Sequence, residues 1–99
     1  MISRERVSLT ASGGSVSQTL RDLRGRVGLI FCKAASTTTT FDLTITDDQG
    51  DIIFTREGNV GELNEIGGFL LKGICTLDIT NSSVAAETFT FKAMVEEMA

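Results

Sequence analysis

The residues of this sequence that could do chemistry are its clustered carboxylates, its two cysteines and its arginines. The densest acidic cluster is the run DDQGD at residues 47–51, and hard cations such as Ca²⁺ prefer oxygen ligands. If Gly50 takes the sixth position of an EF-hand calcium loop, the first ligand position falls on Ile45 and the twelfth on Arg56. An apolar first ligand and a cation at the bidentate position exclude that motif. We therefore interpret residues 47–51 as an acidic turn.

Two pairs of adjacent carboxylates, at 47–48 and 96–97, could be considered as the acid and base of a glycosidase. Such a pair must flank a substrate in a cleft, with one carboxyl group desolvated so that its pKa rises. Adjacent residues in a turn or near a chain end are solvated. We therefore interpret both pairs as surface charge.

Nucleophilic and cofactor chemistry also lack the residues they need. The sequence contains no histidine, which is the commonest general base near neutral pH and a frequent zinc ligand. Without a base or a helix N-terminus nearby, Cys32 and Cys75 are expected to be reduced thiols in the core. The glycine pairs at 13–14 and 67–68 are not followed by the Lys-Ser/Thr of a phosphate-binding loop. We expect no enzymatic activity, no cofactor and no metal.

Arg21, Arg24 and Arg26 form a compact basic group that could contact nucleic acid. Proteins that bind single strands combine such a group with exposed aromatic side chains on which bases stack. The six phenylalanines mostly occupy strand positions expected to face inward, and the net charge is −4. We therefore predict no nucleic-acid partner and assign these arginines to salt bridges with an acidic neighbouring subunit.

Charge is unevenly distributed along the chain. Residues 1–35 carry six cations and two acids, for a charge of +4, whereas residues 36–99 carry three cations and eleven acids, for −8. Such a separation suits head-to-tail contacts or docking on a host surface. The first residues lack the apolar region of a secretory signal, and no apolar run approaches the ~20 residues of a membrane helix. We expect synthesis in a cytosol and no membrane partner.

The elements that must position these residues are β-strands, because apolar and polar side chains alternate with a period of two. Residues 41–46 (FDLTIT) alternate strictly, and a turn with Gly50 leads to a returning apolar run, which predicts a β-hairpin over 40–55. The same pattern predicts a second hairpin over 74–96.

Further strands are predicted over 7–11, 15–20 and 27–33, which brings the total to about seven short strands. This pattern is typical of an all-β, antiparallel β-sandwich or jelly-roll-like fold, with one domain over residues 1–99. Residues 1–6 are predicted to form an N-terminal arm. The predicted core consists of Leu9, Val27, Leu29, Phe31, Phe41, Leu43, Ile45, Ile53, Leu77, Ile79, Phe89 and Phe91.

The stretch 57–73 is the least regular part of the sequence and contains five glycines. We predict a long irregular, glycine-rich loop there, and loops of that length are often functional. A core of this size is thin, so contacts between subunits would add stability.

Three stretches together resemble a known group of proteins. Residues 23–30 (LRGRVGLI) resemble an L-x-G-x-[IV]-x-x-I strand opening, and residues 38–47 (TTTFDLTITD) resemble a T-T-F-D-[LV]-T-I-T strand. Residues 50–53 (GDII) resemble its G-x-x-[IL] return. The pattern is similar to that of small structural proteins of tailed bacteriophages, some of which are similar to capsid cement or decoration proteins. The resemblance covers about residues 7–96 in outline, and its motifs are degenerate β patterns.

The resemblance implies a subunit of the virion that binds the outside of a phage head and bridges coat subunits. The expected partner is the major capsid protein, with a homo-oligomer, a trimer favoured, and with synthesis in the host cytoplasm. A tail, neck or fibre-attachment subunit is the alternative. A small carbohydrate-binding module is disfavoured, because sugar sites use exposed Trp or Tyr and the sequence has neither. The predicted interface residues are Arg4, Arg6, Arg21, Arg24, Arg26, Glu62, Glu65, Phe69, Leu70 and Leu71.

Overall fold

The alternating segments form antiparallel strands in a computed structural model that describes residues 2–97. The strands are β1 (Ile2–Thr10), β2 (Val16–Thr19), β3 (Leu23–Ala34), β4 (Thr40–Thr46), β5 (Ile52–Val60), β6 (Glu62–Ile66), β7 (Leu70–Gly73), β8 (Thr76–Thr80) and β9 (Thr88–Glu97). The predicted all-β antiparallel sandwich is confirmed, with nine strands where about seven were expected.

The strands follow the order β1-β9-β3-β6-β5-β4-β8-β2, and β7 also pairs with β3. The first sheet contains β1, β9 and β3, with β6 and β7 end to end along the far edge of β3. The second sheet contains β5, β4, β8 and β2. The chain passes from one sheet to the other at Gly61, which has a φ of 74° and lies against the backbone of Thr37. A side chain at this corner would have no room.

The core lies between the two sheets and is filled by the inward positions of both. Phe41 of the second sheet and Phe89 of the first meet edge-on, with ring centroids 5.0 Å apart, and both are fully buried. Edge-to-face contacts of this kind add to the stabilisation that comes from burying the rings. The predicted core residues that are buried are Leu9, Val27, Phe41, Leu43, Ile45, Leu77, Ile79, Phe89 and Phe91.

A β-bulge in β3 changes which side chains reach the core. Val27 pairs with Val95 of β9, but Leu29 pairs with Met94, so Gly28 is the extra residue of the bulge. One inserted residue moves every following side chain to the opposite face of the sheet.

The prediction that Leu29 and Phe31 lie in the core is therefore wrong. After the bulge, Ile30 and Cys32 point into the core, and Leu29 and Phe31 lie half-buried on the outer face. Ile53 is also only half-buried, near the start of β5.

The predicted arm and the predicted loop both form strands. Residues 2–6 are the first part of β1 and pair with residues 92–96 of β9, and Met1 lies outside the described residues. The stretch 57–73 contains the end of β5, all of β6 and all of β7. Four of its five glycines lie between strands or at the end of one, where Gly61 allows the corner and Gly67 approaches the backbone of β3 too closely for a side chain.

The first predicted hairpin is confirmed and the second is wrong. β4 and β5 pair as expected over 40–55. β8, however, pairs with β2 and β4, whereas β9 pairs with β1 and β3 in the other sheet. Residues 81–87 therefore cross between the sheets. Apolar and polar side chains alternate alike in β8 and β9 because the two strands face the same core from opposite sheets. The alternation alone therefore could not show that they do not pair.

Candidate functional site

The outward positions of the first sheet collect seven of the nine lysines and arginines of the chain. Successive side chains on a strand point to opposite sides of a sheet, so these residues share one surface, which we call the cationic face. Its members are Arg4, Arg6, Arg24, Arg26, Lys33, Lys72 and Lys92. Two carboxylates, Glu62 and Glu96, share the surface, so its formal charge is 7 − 2, or +5. The other two cations and eleven acids of the chain lie elsewhere, for a charge of −9.

An apolar strip crosses the middle of the cationic face. Consecutive partners across β1, β9, β3 and β6 place Arg4, Met94, Leu29 and Ile66 in one row. The side chain of Ile66 is 89% exposed, although isoleucine is among the residue types most often buried. Three apolar side chains on adjacent strands therefore form a continuous strip that begins beside a cation. The strip is half-buried at Met94 and Leu29 and exposed at Ile66.

The next row of the cationic face pairs a cation with an aromatic ring. Arg6 lies opposite Lys92, and Lys92 lies opposite Phe31. The Nζ atom of Lys92 lies 5.3 Å from the centroid of the Phe31 ring, within the range of a cation–π contact. The face of this ring is therefore already covered by a side chain of the same molecule.

The bulge also shapes the surface. A depression of about 420 Å³ lies over it and is lined by the apolar side chains of Ile2, Leu29, Met94 and Ile66. Because Gly28 has no side chain, and an added Cβ would meet no atom nearer than 3.8 Å, the depression stays open at this point. Arg26 and Glu96 also line it. The sheet thus offers a partner a shallow apolar recess within the cationic face.

The structure brings six of the ten predicted interface residues together and separates four. The six on the cationic face are Arg4, Arg6, Arg24, Arg26, Glu62 and Leu70. Arg21 lies in the link between β2 and β3, with its Nε 3.4 Å from Oε2 of Glu5. Glu65 and Phe69 face the second sheet, and Leu71 is buried in the core.

Glu65 and Phe69 hold the two sheets together along the seam between β5 and β6–β7. Oε2 of Glu65 lies 2.5 Å from Nε of Arg56, whose guanidinium carbon lies 4.5 Å from the ring centroid of Phe54. The rings of Phe54 and Phe69 stack with their centroids 4.9 Å apart. These contacts join the sheets where backbone pairing does not, which gives both residues a structural role.

Sequence reasoning missed Lys33, Lys72 and Lys92, and the apolar strip between them. These lysines belong to three different strands, and only the strand register shows that they share a surface. The sequence could show only the direction of single side chains. Lys92, for example, lies between the buried residues Phe91 and Ala93, so the alternation of the strand points it outward.

The outward positions of the second sheet have the opposite character. We call this surface the aspartate–threonine face, and no lysine or arginine among the described residues lies on it. Its members are Ser17, Thr19, Asp42, Thr44, Thr46, Ile52, Thr55, Thr76, Asp78 and Thr80.

One carboxylate of the aspartate–threonine face is held firmly in place. Oδ2 of Asp42 accepts a hydrogen bond of 2.7 Å from the side-chain amide of Asn81, and Oδ1 accepts one of 2.8 Å from the backbone N–H of Gly58. These two bonds, the first above all, lower the pKa of Asp42 below its ordinary value. The group is therefore a fixed negative charge at neutral pH.

The acidic cluster at residues 47–51 forms a turn, in which Oδ1 of Asp47 accepts hydrogen bonds of 2.9 Å from the N–H groups of Gln49 and Asp51. Over residues 2–97, no three potential ligands among histidine, cysteine, aspartate and glutamate are grouped to hold a metal ion. Over the same range, no helix has the length and apolar character needed to cross a membrane.

No protein-family model matches this sequence, and no curated protein matches it. Solved structures do match the fold. A chain from Bacillus endospore appendages, which form disulfide-linked pili, shares a TM-score of 0.61 at 13% identity over 99% of this chain and 88% of its own. The Yersinia pseudotuberculosis-derived mitogen gives 0.53 at 17% identity over 100% and 91%, and FlhE gives 0.51 at 9% over 99% and 98%. At these identities the likeness establishes a shared fold.

Proposed function

We propose that this chain is a structural subunit of a larger particle, in which it binds an acidic protein surface through the cationic face. The observation that carries the proposal is the gathering of seven cations around an apolar strip on one sheet. Exposed apolar patches with a polar rim mark surfaces that bind other proteins. Complementary charge selects the partner and speeds its encounter. The role is one of binding, without catalysis.

The finer proposal is decoration of a tailed-phage head, which rests on the resemblance of the motifs between residues 23 and 53. The acidic partner is then the major capsid protein, and the subunit ends in the virion after synthesis in the host cytoplasm. A protein that binds assembled coat in preference to free coat stabilises the assembled state by mass action.

A tail, neck or fibre subunit is the second candidate. Two observations favour it: the fold is shared with a chain of a pilus, and the two outer faces of the sandwich have opposite character. Cys32 and Cys75 are free and buried, so contacts between copies would be non-covalent.

A density gradient tests the proposal. Particles are prepared from the organism or virus whose genome encodes this chain and are separated on the gradient, and the position of the protein is then measured. An antibody raised against the purified chain detects it in each fraction. We expect the wild-type protein at the position of the particles, in a fixed ratio to the major particle protein. Recovery only among free proteins, although intact particles are present, would exclude a structural role.

A pair of variants tests the surface involved. Reversal of two adjacent cations by Arg6→Glu with Lys92→Glu should move the protein from the particle fractions to the free fractions. The control is Gln49→Glu with Ala86→Glu, which also adds negative charge but at exposed turn positions off both faces. The control variant should stay with the particles. If both variants stay, the cationic face does not make the contact.

A further inference from the structure

We infer that the acidic surface recognised by the cationic face is the aspartate–threonine face of a second copy of this chain. Copies then associate head to tail, with the first sheet of one against the second sheet of the next. The inference rests on the proposed structural role, in its tail or fibre form rather than as capsid decoration, and names the partner of that same surface.

A symmetric dimer through the cationic face is disfavoured by charge. Two copies of this surface would bring seven cations against seven, and each copy has only Glu62 and Glu96 there to offset them. Like charges placed against each other at an interface repel, which suppresses association with that partner. The surface that covers the apolar strip must therefore carry negative charge.

The aspartate–threonine face meets that requirement. Asp78 lies in its middle, between Ser17 on one side and Thr44 on the other, and Asp42 is fixed by its two hydrogen bonds. Hydroxyl groups there can accept hydrogen bonds from lysine and arginine, and threonine methyl groups can contact the apolar strip. Oγ1 of Thr44 and Oγ1 of Thr55 are 3.1 Å apart, so part of the surface is already ordered in the free protein.

The position of the two faces determines the kind of assembly. They lie on opposite sides of one sandwich that measures 40 × 24 × 19 Å. The two longer dimensions bound a face comparable with the ~800 Å² that each partner buries in an interface of standard size. A contact between different faces leaves both ends of a pair open, so it continues to further copies. The product is a stack, as a fibre or tail would need.

Single-stranded nucleic acid is the other occupant that positive charge could attract. Bases bind such a surface by stacking on free aromatic rings. Phe31 is the aromatic residue in the two central rows of the cationic face, and Lys92 already lies over its ring. The neighbouring strip consists of the aliphatic side chains of Leu29, Ile66 and Met94. These features favour a protein surface.

Light scattering on a sizing column, over a range of loading concentrations, tests the association directly. We expect the mean mass of the wild-type protein to rise above that of a monomer as concentration increases. Added salt should reverse the rise, because exposed charges more than about 10 Å apart are largely screened at ~0.1 M ionic strength. A monomer at every concentration and at low salt overturns the inference.

Two charge-reversal variants identify the faces. Arg6→Glu with Lys92→Glu alters the cationic face, and Ser17→Lys with Asp78→Lys alters the aspartate–threonine face. Each variant alone should associate at least ~100-fold more weakly than the wild type. An equimolar mixture should form a one-to-one dimer and stop there, because each variant keeps the one face that the other lacks. Circular dichroism of each variant confirms the fold, and Gln49→Glu with Ala86→Glu is the control that should still associate.

The mixture separates a head-to-tail contact from a symmetric one, since a symmetric interface predicts no dimer between the two altered proteins. A mixture that stays monomeric overturns the inference. A wild-type protein that is monomeric but is found in particles would overturn the inference and leave the proposed structural role intact. A protein that stacks but is absent from particles would overturn the structural role and leave the association of copies intact.

A fluorescent oligothymidylate is the final probe, and tight binding abolished by Arg6→Glu with Lys92→Glu would assign the cationic face to nucleic acid instead.

Discussion

Thr39 and Glu87, which are 48 positions apart in the sequence, are joined inside the protein by a hydrogen bond of 2.5 Å from Oγ1 of Thr39 to Oε2 of Glu87. Both residues are buried. The same carboxylate accepts hydrogen bonds from the backbone N–H groups of Ser36 and Thr88. It therefore ties the segment before β4 to the start of β9, where the two sheets meet at one end of the sandwich. The hydrogen bond from Thr39, with those from the backbone, lowers the pKa of Glu87.

Acidification should destabilise the protein through Glu87. Its pKa is lower in the folded than in the unfolded state, so the folded protein binds fewer protons. The stabilisation is fully present above the unfolded value of about 4.3 and is lost as the pH falls through the folded pKa. Urea unfolding from about pH 7 down to about pH 3 should show this loss.

The matched variant is Glu87→Gln, which keeps the shape of the side chain and removes its titration. We expect it to be less stable than the wild type at neutral pH, with a gap that narrows on acidification. Asp42, whose pKa is also lowered, is present in both proteins and does not affect the comparison. Unfolding free energies that run parallel across the pH range would contradict a role for Glu87.

Truncation of two phenylalanines tests the position of the core. Phe89→Ala should lower the free energy of unfolding by about 3–5 kcal/mol, because the ring is fully buried against Phe41. Phe31→Ala should lower it by about 1 kcal/mol or less, because the bulge turns that ring to the outer face. Chemical denaturation measures both values. Equal losses would mean that Phe31 also belongs to the core.

The sequence predicted the sandwich but not the details that depend on partners across the sheet. Alternation of apolar side chains correctly identified Phe41, Leu43 and Ile45 as core residues, since a strand with one face on the core must alternate. It failed at Leu29 because a bulge is an irregularity of pairing. A glycine inside a strand can mark a bulge, but Gly25 and Gly28 both lie in β3, and only the pairing shows that the bulge is at Gly28. Alternation also joined β8 and β9 into a hairpin, since strands of opposite sheets alternate alike.

Gly61 and Gly58 form a matched pair for testing the corner between the sheets. Both have a positive φ, 74° and 68°, so alanine is strained by about 1–2 kcal/mol at either position. At Gly61 an added Cβ would also overlap the carbonyl oxygen of Thr37, whereas at Gly58 it would meet nothing within 4 Å. Gly61→Ala should therefore destabilise the protein more than Gly58→Ala, by at least ~1 kcal/mol. Equal destabilisation would show that the corner opens to admit a methyl group.

Only part of the candidate site, the cations of β1 and β3, could be predicted from the sequence. The excess of positive charge in the first third reflects β1 and β3, which carry Arg4, Arg6, Arg24, Arg26 and Lys33. Two strands from the rest of the chain, β7 and β9, complete the surface because they flank β3 in the sheet. Their order is set by the topology of the sandwich, and linear charge patterns carry no information about it. The same holds for the apolar strip, whose members come from three strands.

The two cysteines should be unreactive while the protein is folded. Burial raises the pKa of Cys32 to about 12, and burial followed by the nearby Asp47 raises the pKa of Cys75. Because the thiolate is the reactive form, both should react with a thiol reagent at about pH 8 at least ~100-fold more slowly in buffer than in urea.

An exposed thiol provides the control, since Ala86→Cys places a third cysteine at an exposed position and should react at once in buffer. If the native thiols stay protected, a reductant should leave any association of copies unchanged, because neither sulfur can reach a partner without local unfolding. An assembly that dissociates on reduction would mean that Cys32 or Cys75 becomes exposed when copies meet. The contact would then involve a rearranged sheet rather than the two preformed faces.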